Sequence, residues 1–353
     1  AGHRSAVLVR NVHEARALVV FEEPDLEVPK RRPATATRVI KTIVVPIVFA
    51  ALLAVFVWNQ RDRLDDLWNA PAHWIAAIAV LVLIGHFLNS TEFWLLYRTN
   101  GCRSGLFENW MLFLASQLGN YVPAQAGTLY RLRYMRAVHD VSYPESVAVY
   151  SANFVATLVG ASVTAFIGVI GFALAGGRLS YALLLVSGGL IVLAGAMAVI
   201  PLPQFAARNG RLARAWRSFH SGFEQIRRDP KTAWACVLIE VVKYLVTGVR
   251  MYIAFRVLDV DVPFWAFMVL APAAGIAGFI SFTPGAFGFR EIFITGAAAA
   301  LGIGVDNGLL GATIDRAVML VTSVVFGGLA FLYTYPRLRA ATLAQSTRAA
   351  STT

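Results

Sequence analysis

Residues 282–291 read Phe-Thr-Pro-Gly-Ala-Phe-Gly-Phe-Arg-Glu, and how this stretch is read decides the fold. It lies between apolar runs, yet it breaks helix and carries charge. Pro284 cannot continue a helix, because it lacks an N–H and its ring meets the preceding turn. Gly285 and Gly288 admit backbone that other residues resist. Non-helical backbone at membrane depth persists only where protein buries it or where it lines a watery cavity. The stretch is either a re-entrant break beside a polar site or a turn outside the bilayer.

An echo upstream favours the first reading. Residues 121–131 read Tyr-Val-Pro-Ala-Gln-Ala-Gly-Thr-Leu-Tyr-Arg, so Pro123, Gly127 and Arg131 stand as a looser copy of Pro284, Gly288 and Arg290. The lead-ins match as well: Leu95-Leu96-Tyr97-Arg98 before the first break, Ile253-Ala254-Phe255-Arg256 before the second. Paired, interrupted apolar segments in corresponding halves point to a transporter's binding site.

The composition is that of a membrane protein. Of 353 residues, 58% are hydrophobic and 14% charged, with a mean hydropathy of +0.62; soluble domains carry about 25% charged residues. Apolar runs place six spans near residues 39–58, 74–97, 146–175, 181–200, 232–255 and 312–335, each long enough to cross. Shorter runs at 107–121, 264–280 and 292–303 flank the two breaks. The expected fold is all-α and polytopic: about six transmembrane helices plus two re-entrant, Pro/Gly-broken segments in an inverted repeat. Residues 1–37 read as a basic cytoplasmic tail, 38–336 as the transmembrane domain and 337–353 as a second cytoplasmic tail. In 208–228, Leu212, Trp216, Phe219, Phe223 and Ile226 form one apolar stripe among arginines, the pattern of a helix lying on an anionic membrane face. Asp229 and Pro230 then cap the next helix.

The net charge is +11, a surplus that speaks of topology and anionic lipid rather than nucleic acid. With the N-terminus inside and neither broken segment crossing, nearly all loop Lys and Arg fall on the cytoplasmic side. Both termini are then cytoplasmic, and the two breaks enter from opposite faces.

Charges inside the spans mark the site. Glu240, Lys243, Thr247 and Arg250 step by three, four and three along one helical face. A charge at the bilayer centre costs about 2.5–3.5 kcal/mol even on the lenient scale. Glu240 and Lys243 can pair at i,i+3. The repeat register sets Glu92 opposite Arg250, a possible pair across the pseudo-symmetric interface. Arg131 and Arg290 each follow a break, where a guanidinium offers phosphate a bidentate fork. The expected substrate-binding residues are Arg131, Arg290, Lys243, Arg250 and Arg316. Glu92, Glu240, Glu291 and Asp315 are the candidates for proton or ion coupling, and Pro123, Gly127, Pro284, Gly285 and Gly288 form the breaks. No Walker loop, HExxH, Rossmann fingerprint or GxSxG occurs, the six histidines do not cluster, and the two cysteines make no metal or disulfide framework. No cofactor, metal or catalytic residue is therefore expected, and no enzyme activity.

At its two breaks the chain resembles the lysylphosphatidylglycerol synthase transmembrane-region family, flippase-like membrane proteins of bacteria and archaea. Pro123, Gly127 and Arg131 carry the likeness in the first half, and Pro284, Gly285, Gly288, Arg290 and Glu291 in the second. Arg316 fits the family's arginine in the last span. Ala286 stands where the family has a glycine, and Gly127-Thr128 where it often has Gly-Glu. The resemblance implies movement of a phospholipid or polyprenyl-linked lipid between leaflets of a bacterial cell membrane, with membrane lipids and a lipid-modifying enzyme as partners. Full-length synthases add a soluble aminoacyl-transferase domain; none is expected after Pro336. Two other readings stay open: a membrane enzyme acting on lipid-linked sugars, with Asp62, Asp65 and Asp66 as its acidic group, and a membrane scaffold.

Overall fold

A computed structural model describes residues 71–121, 126–199, 224, 229–280 and 283–351. The expected first span (39–58), the tail 1–37, Pro123 and nearly all of 208–228 lie outside them. The described residues form nine α-helices and no strand: α1 (Ala72–Thr99), α2 (Leu106–Asn120), α3 (Ala126–His139), α4 (Tyr143–Leu174), α5 (Tyr181–Val199), α6 (Pro230–Val257), α7 (Phe264–Ile280), α8 (Phe289–Ala300) and α9 (Val305–Ser351). A single 3-10 turn, Pro284–Ala286, precedes α8. Four helices, α1, α4, α6 and α9, are long and apolar enough to cross a membrane. At about 1.5 Å per residue, α2, α7 and α8 are each shorter than the roughly 30 Å hydrocarbon core.

The repeat is metrical. α6 begins and ends 158 residues after α1 (72 to 230, 99 to 257), and α7 begins 158 after α2 (106 to 264). Packing follows the same correspondence: α4 lies on α7 and α9 on α2, so each half lends its long helix to the other half's short one. α1 and α6 pack on each other and run antiparallel. Ile78, early in α1, shares a cluster with Ile253 and Ala254, late in α6, whereas Glu92, late in α1, faces Glu240 in the first half of α6.

Local chemistry sets the helix ends. Asp229 accepts a hydrogen bond from the Thr232 N–H at 3.2 Å, with Pro230 next to it, as the Asp-Pro pair predicts. Ser142 and Glu145 form a reciprocal capping box at the start of α4. α9 does not stop at Pro336 but runs 47 residues, so the expected C-terminal tail is helical as far as Ser351. Proline removes one hydrogen bond, to the carbonyl four residues back; here that residue is Leu332, on an exposed face.

Both breaks depend on glycine. A Cβ on Gly127 would sit 1.8 Å from the Ser116 carbonyl oxygen, so α2 and α3 can meet only through bare backbone. Asn120 Oδ1 accepts from the Thr128 N–H at 3.1 Å and satisfies a donor at the start of α3. In the second break Gly285, Ala286 and Gly288 have φ of +58°, +58° and +86°, and Glu291 Oε2 accepts from the Gly288 N–H at 2.9 Å. The two breaks touch: the Tyr121 ring lies against Gly285 and meets Phe287 edge-on at 6.3 Å.

Candidate functional site

Between the breaks and the crossing helices lies a cavity of about 460 Å³, lined from both halves by residues of α1, α2, α3, α4, α6, α7, α8 and α9. Its wall is mixed: Phe93, Phe113 and Ala271 beside Asn89, Asn120, Asn153 and Thr157, with the cations Arg131, Lys243, Arg250 and Arg290 reaching it. A mostly apolar pocket with a few converging polar groups is the usual form of a ligand site.

On the second-break side, Asp315 of α9 is wholly buried and holds two arginines. Arg250 of α6 donates from Nε to Asp315 Oδ1, and from Nη2 to Oδ2 at 3.1 Å. Arg290 of α8 donates from Nη2 to Oδ2. One carboxylate thus orients two guanidinium groups and cancels only one of their charges. Arg316 faces the other way. It pairs with Glu291 at 2.5 Å and donates to the carbonyls of Gly285 at 2.6 Å and Ala286 at 3.3 Å. It braces carbonyls that the break removes from any helix ladder.

Arg131, six residues into α3, has a different environment. Its side chain is 1% exposed. The guanidinium lies 3.8 Å over the Phe93 ring, with Phe113 at 5.5 Å and Tyr97 at 5.9 Å. The Tyr150 hydroxyl is its polar neighbour. It has no carboxylate partner among the described residues, and its Nε and Nη2 complete no hydrogen bond. Cation–π attraction offsets part of the desolvation, but two nitrogens of a buried charge stay unbonded among the described residues in a side chain that lines the cavity.

A third group sits across the cavity. Glu240 Oε1 accepts from Lys243 Nζ and from Thr157 Oγ1, the latter at 2.7 Å. Glu92 faces Glu240 and Asn153. The Glu92 oxygens and Glu240 Oε2 complete no hydrogen bond, and both residues are wholly buried.

The expected Glu92–Arg250 pair does not form. Register equivalence places residues at symmetry-related positions, and these coincide in space only on the pseudo-axis. With α1 and α6 antiparallel, Glu92 meets Glu240 instead, and Arg250 is claimed by Asp315. Of the other expected site residues, Arg131, Lys243, Arg250 and Arg290 converge on the cavity, while Arg316 and Glu291 stand behind the break. Sequence reasoning missed Asn153 and Thr157, although two polar residues four apart within the apolar run 146–175 signalled a polar helical face. It also missed helix α3, whose arginines hide its apolar face, and the aromatic box around Arg131, which only tertiary packing assembles.

Outside the crossing helices, Glu108 in the first turn of α2 accepts from the Tyr134 hydroxyl at 2.6 Å and lies 3.2 Å from His139 Nε2. The His139 hydrogen bond, with help from Tyr134 and against partial burial, holds the Glu108 carboxyl at about 2.

Comparison with known proteins places this architecture. An 81-residue stretch is 28% identical to the phosphatidylglycerol lysyltransferase of Staphylococcus xylosus, covering 23% of this chain and 10% of that protein. The family model for the lysylphosphatidylglycerol synthase TM region matches residues 43–327, a span that holds both breaks and every cavity residue named above. This multi-pass membrane protein belongs to the lysylphosphatidylglycerol synthase TM region family.

Proposed function

We propose that this chain moves a lipid with an anionic head group, a phospholipid or a polyprenyl-linked lipid, between the leaflets of a bacterial cell membrane, without altering it chemically. The two broken hairpins are re-entrant, entering from opposite faces, and both termini are cytoplasmic. The short lengths of α2, α7 and α8, the 158-residue register and the antiparallel α1–α6 pair support an inverted repeat built around one midplane site. Family membership and the likeness to a phosphatidylglycerol lysyltransferase support a lipid as the cargo.

One observation carries the reading: Arg131, a buried cation whose Nε and Nη2 complete no hydrogen bond among the described residues, lines a cavity between the breaks. An unmet donor of a buried polar group costs about 1–3 kcal/mol, and more when it is charged. A phosphate oxygen placed there relieves that cost and gains a charge-assisted bond. Arg250 and Arg290, with one uncancelled charge between them, supply the opposite side. The acyl or prenyl chains stay in the bilayer, since only the head group needs a polar path.

The test is movement of fluorescent phospholipid in vesicles holding the purified chain. Movement well above protein-free vesicles supports the reading. No movement of any anionic lipid, polyprenyl phosphates included, overturns it.

A further inference from the structure

Beside the cavity arginines lies a second buried cluster of charge. Glu92 and Glu240, brought together by the antiparallel α1 and α6, are both wholly buried, and their carboxyl groups face one another. Three of their four oxygens lack a hydrogen bond. The fourth, Glu240 Oε1, takes both Lys243 Nζ and Thr157 Oγ1. The other titratable groups facing the pair among the described residues are Cys236 and Tyr244, both on α6. α4 contributes only the neutral Asn153 and Thr157, and His86 of α1 looks toward Arg250. Two carboxylates therefore meet one ammonium. Adjacent carboxylates away from water do not both stay ionised without a large cost, and a shared proton removes it, as in paired-carboxylate sites generally.

We propose that Glu92 and Glu240 form a proton site, and that its loading couples a proton gradient to lipid movement through Lys243. This rests on the lipid-transport reading. Lys243 is the link because it touches both sites: its ammonium is held by Glu240, and its side chain lines the cavity. With the proton absent, two carboxylates hold Lys243. With the proton bound, one negative charge remains against Lys243, the hold on its ammonium weakens, and an anionic head group in the cavity competes for it. Proton and anionic head group then bind together and cross together. For a singly charged lipid that pair is electrically neutral, and no bond is made or broken. The carboxyl pair accepts the proton on the acidic side and gives it up on the alkaline side.

The experiment uses the full chain in proteoliposomes with labelled phosphatidylglycerol. It reads the steady distribution of label between leaflets with an imposed pH gradient, an imposed sodium gradient, or neither. One proton per lipid predicts enrichment in the leaflet on the alkaline side, up to about tenfold per pH unit. Glu92→Gln, whatever its rate, leaves the distribution the same with and without the gradient. Infrared spectra of the purified chain supply a readout independent of transport: a protonated-carboxyl band in the wild type that Glu92→Gln removes. Label that crosses but ignores the pH gradient, or follows sodium instead, overturns the proton site while the transport reading stands. If no label crosses, the transport reading fails and the infrared band decides alone: its loss in Glu92→Gln sustains the shared proton, and its persistence rejects it.

Discussion

Arg250 of α6 is gripped in a two-pronged bond by Asp315 of α9, and the same carboxylate also receives Arg290 from α8. Three elements of the second half are thereby tied at a single buried anion. Removing it leaves two buried guanidinium groups uncompensated. Breaking a buried pair this way costs about 3–5 kcal/mol, so Asp315→Asn is expected to lower the thermal midpoint of the detergent-solubilised protein sharply. An Asp315→Asn midpoint equal to that of the wild type contradicts the clamp.

The first break tests a different force. Gly127→Ala places a methyl 1.8 Å from the Ser116 carbonyl oxygen, a contact that a rigid backbone cannot relieve by turning a side chain. Overpacking costs about 1–3 kcal/mol and sometimes more. The variant is expected to lose folded yield, measured by size-exclusion chromatography, whereas Gly85→Ala, with nothing within 4 Å of its Cβ, keeps it.

Ala286 predicts a gain. Its φ of +58° is a conformation that costs an L-residue about 1–2 kcal/mol. Glycine removes that cost and gives back about 0.4–1 kcal/mol through the freer unfolded chain. Ala286→Gly is therefore expected to raise stability slightly, read as a small upward shift of the unfolding midpoint. A fall would mean that the alanine methyl does more for the break than its backbone costs.

The Glu108 cluster gives a pH dependence with a definite sign. Its carboxyl is held at about 2 in the folded protein, below its ordinary value of about 4.3. A depressed carboxylate stabilises above its unfolded value, and that contribution is lost as pH falls through the folded one. Glu108→Gln is expected to melt below the wild type at pH 6, with the two curves converging as pH falls from about 4 toward 2. A gap that persists at the acid end contradicts the ion-pair account.

Much of this fold was legible from the chain. Apolar run length marked α1, α4, α6 and α9, because crossing hydrocarbon demands such runs. Proline and glycine marked the breaks, because they are what helix excludes. The register was legible in the echo of Leu95–Arg98 by Ile253–Arg256, which fall in corresponding final turns of α1 and α6. What the sequence could not give was which side chain meets which. Glu92 and Arg250 are equivalent by register, yet Glu92 meets Glu240 because the two helices run oppositely. The sequence sets Arg316 among the head-group arginines, but its partners are Glu291 and two carbonyls of the break itself. Arg131 is marked in the sequence by its place after a break, while its separation from every carboxylate among the described residues depends on four aromatic rings from α1, α2 and α4.

The role of Arg131 is read in the rate at which labelled phosphatidylglycerol crosses vesicles carrying the wild type, Arg131→Gln or Arg131→Lys. If Arg131 is the open anion seat, Gln slows crossing by at least about tenfold, the equivalent of one lost charge-assisted bond. Lys, a point charge without the fork, recovers part of the rate. Crossing at wild-type rate in folded Arg131→Gln protein would contradict the assignment.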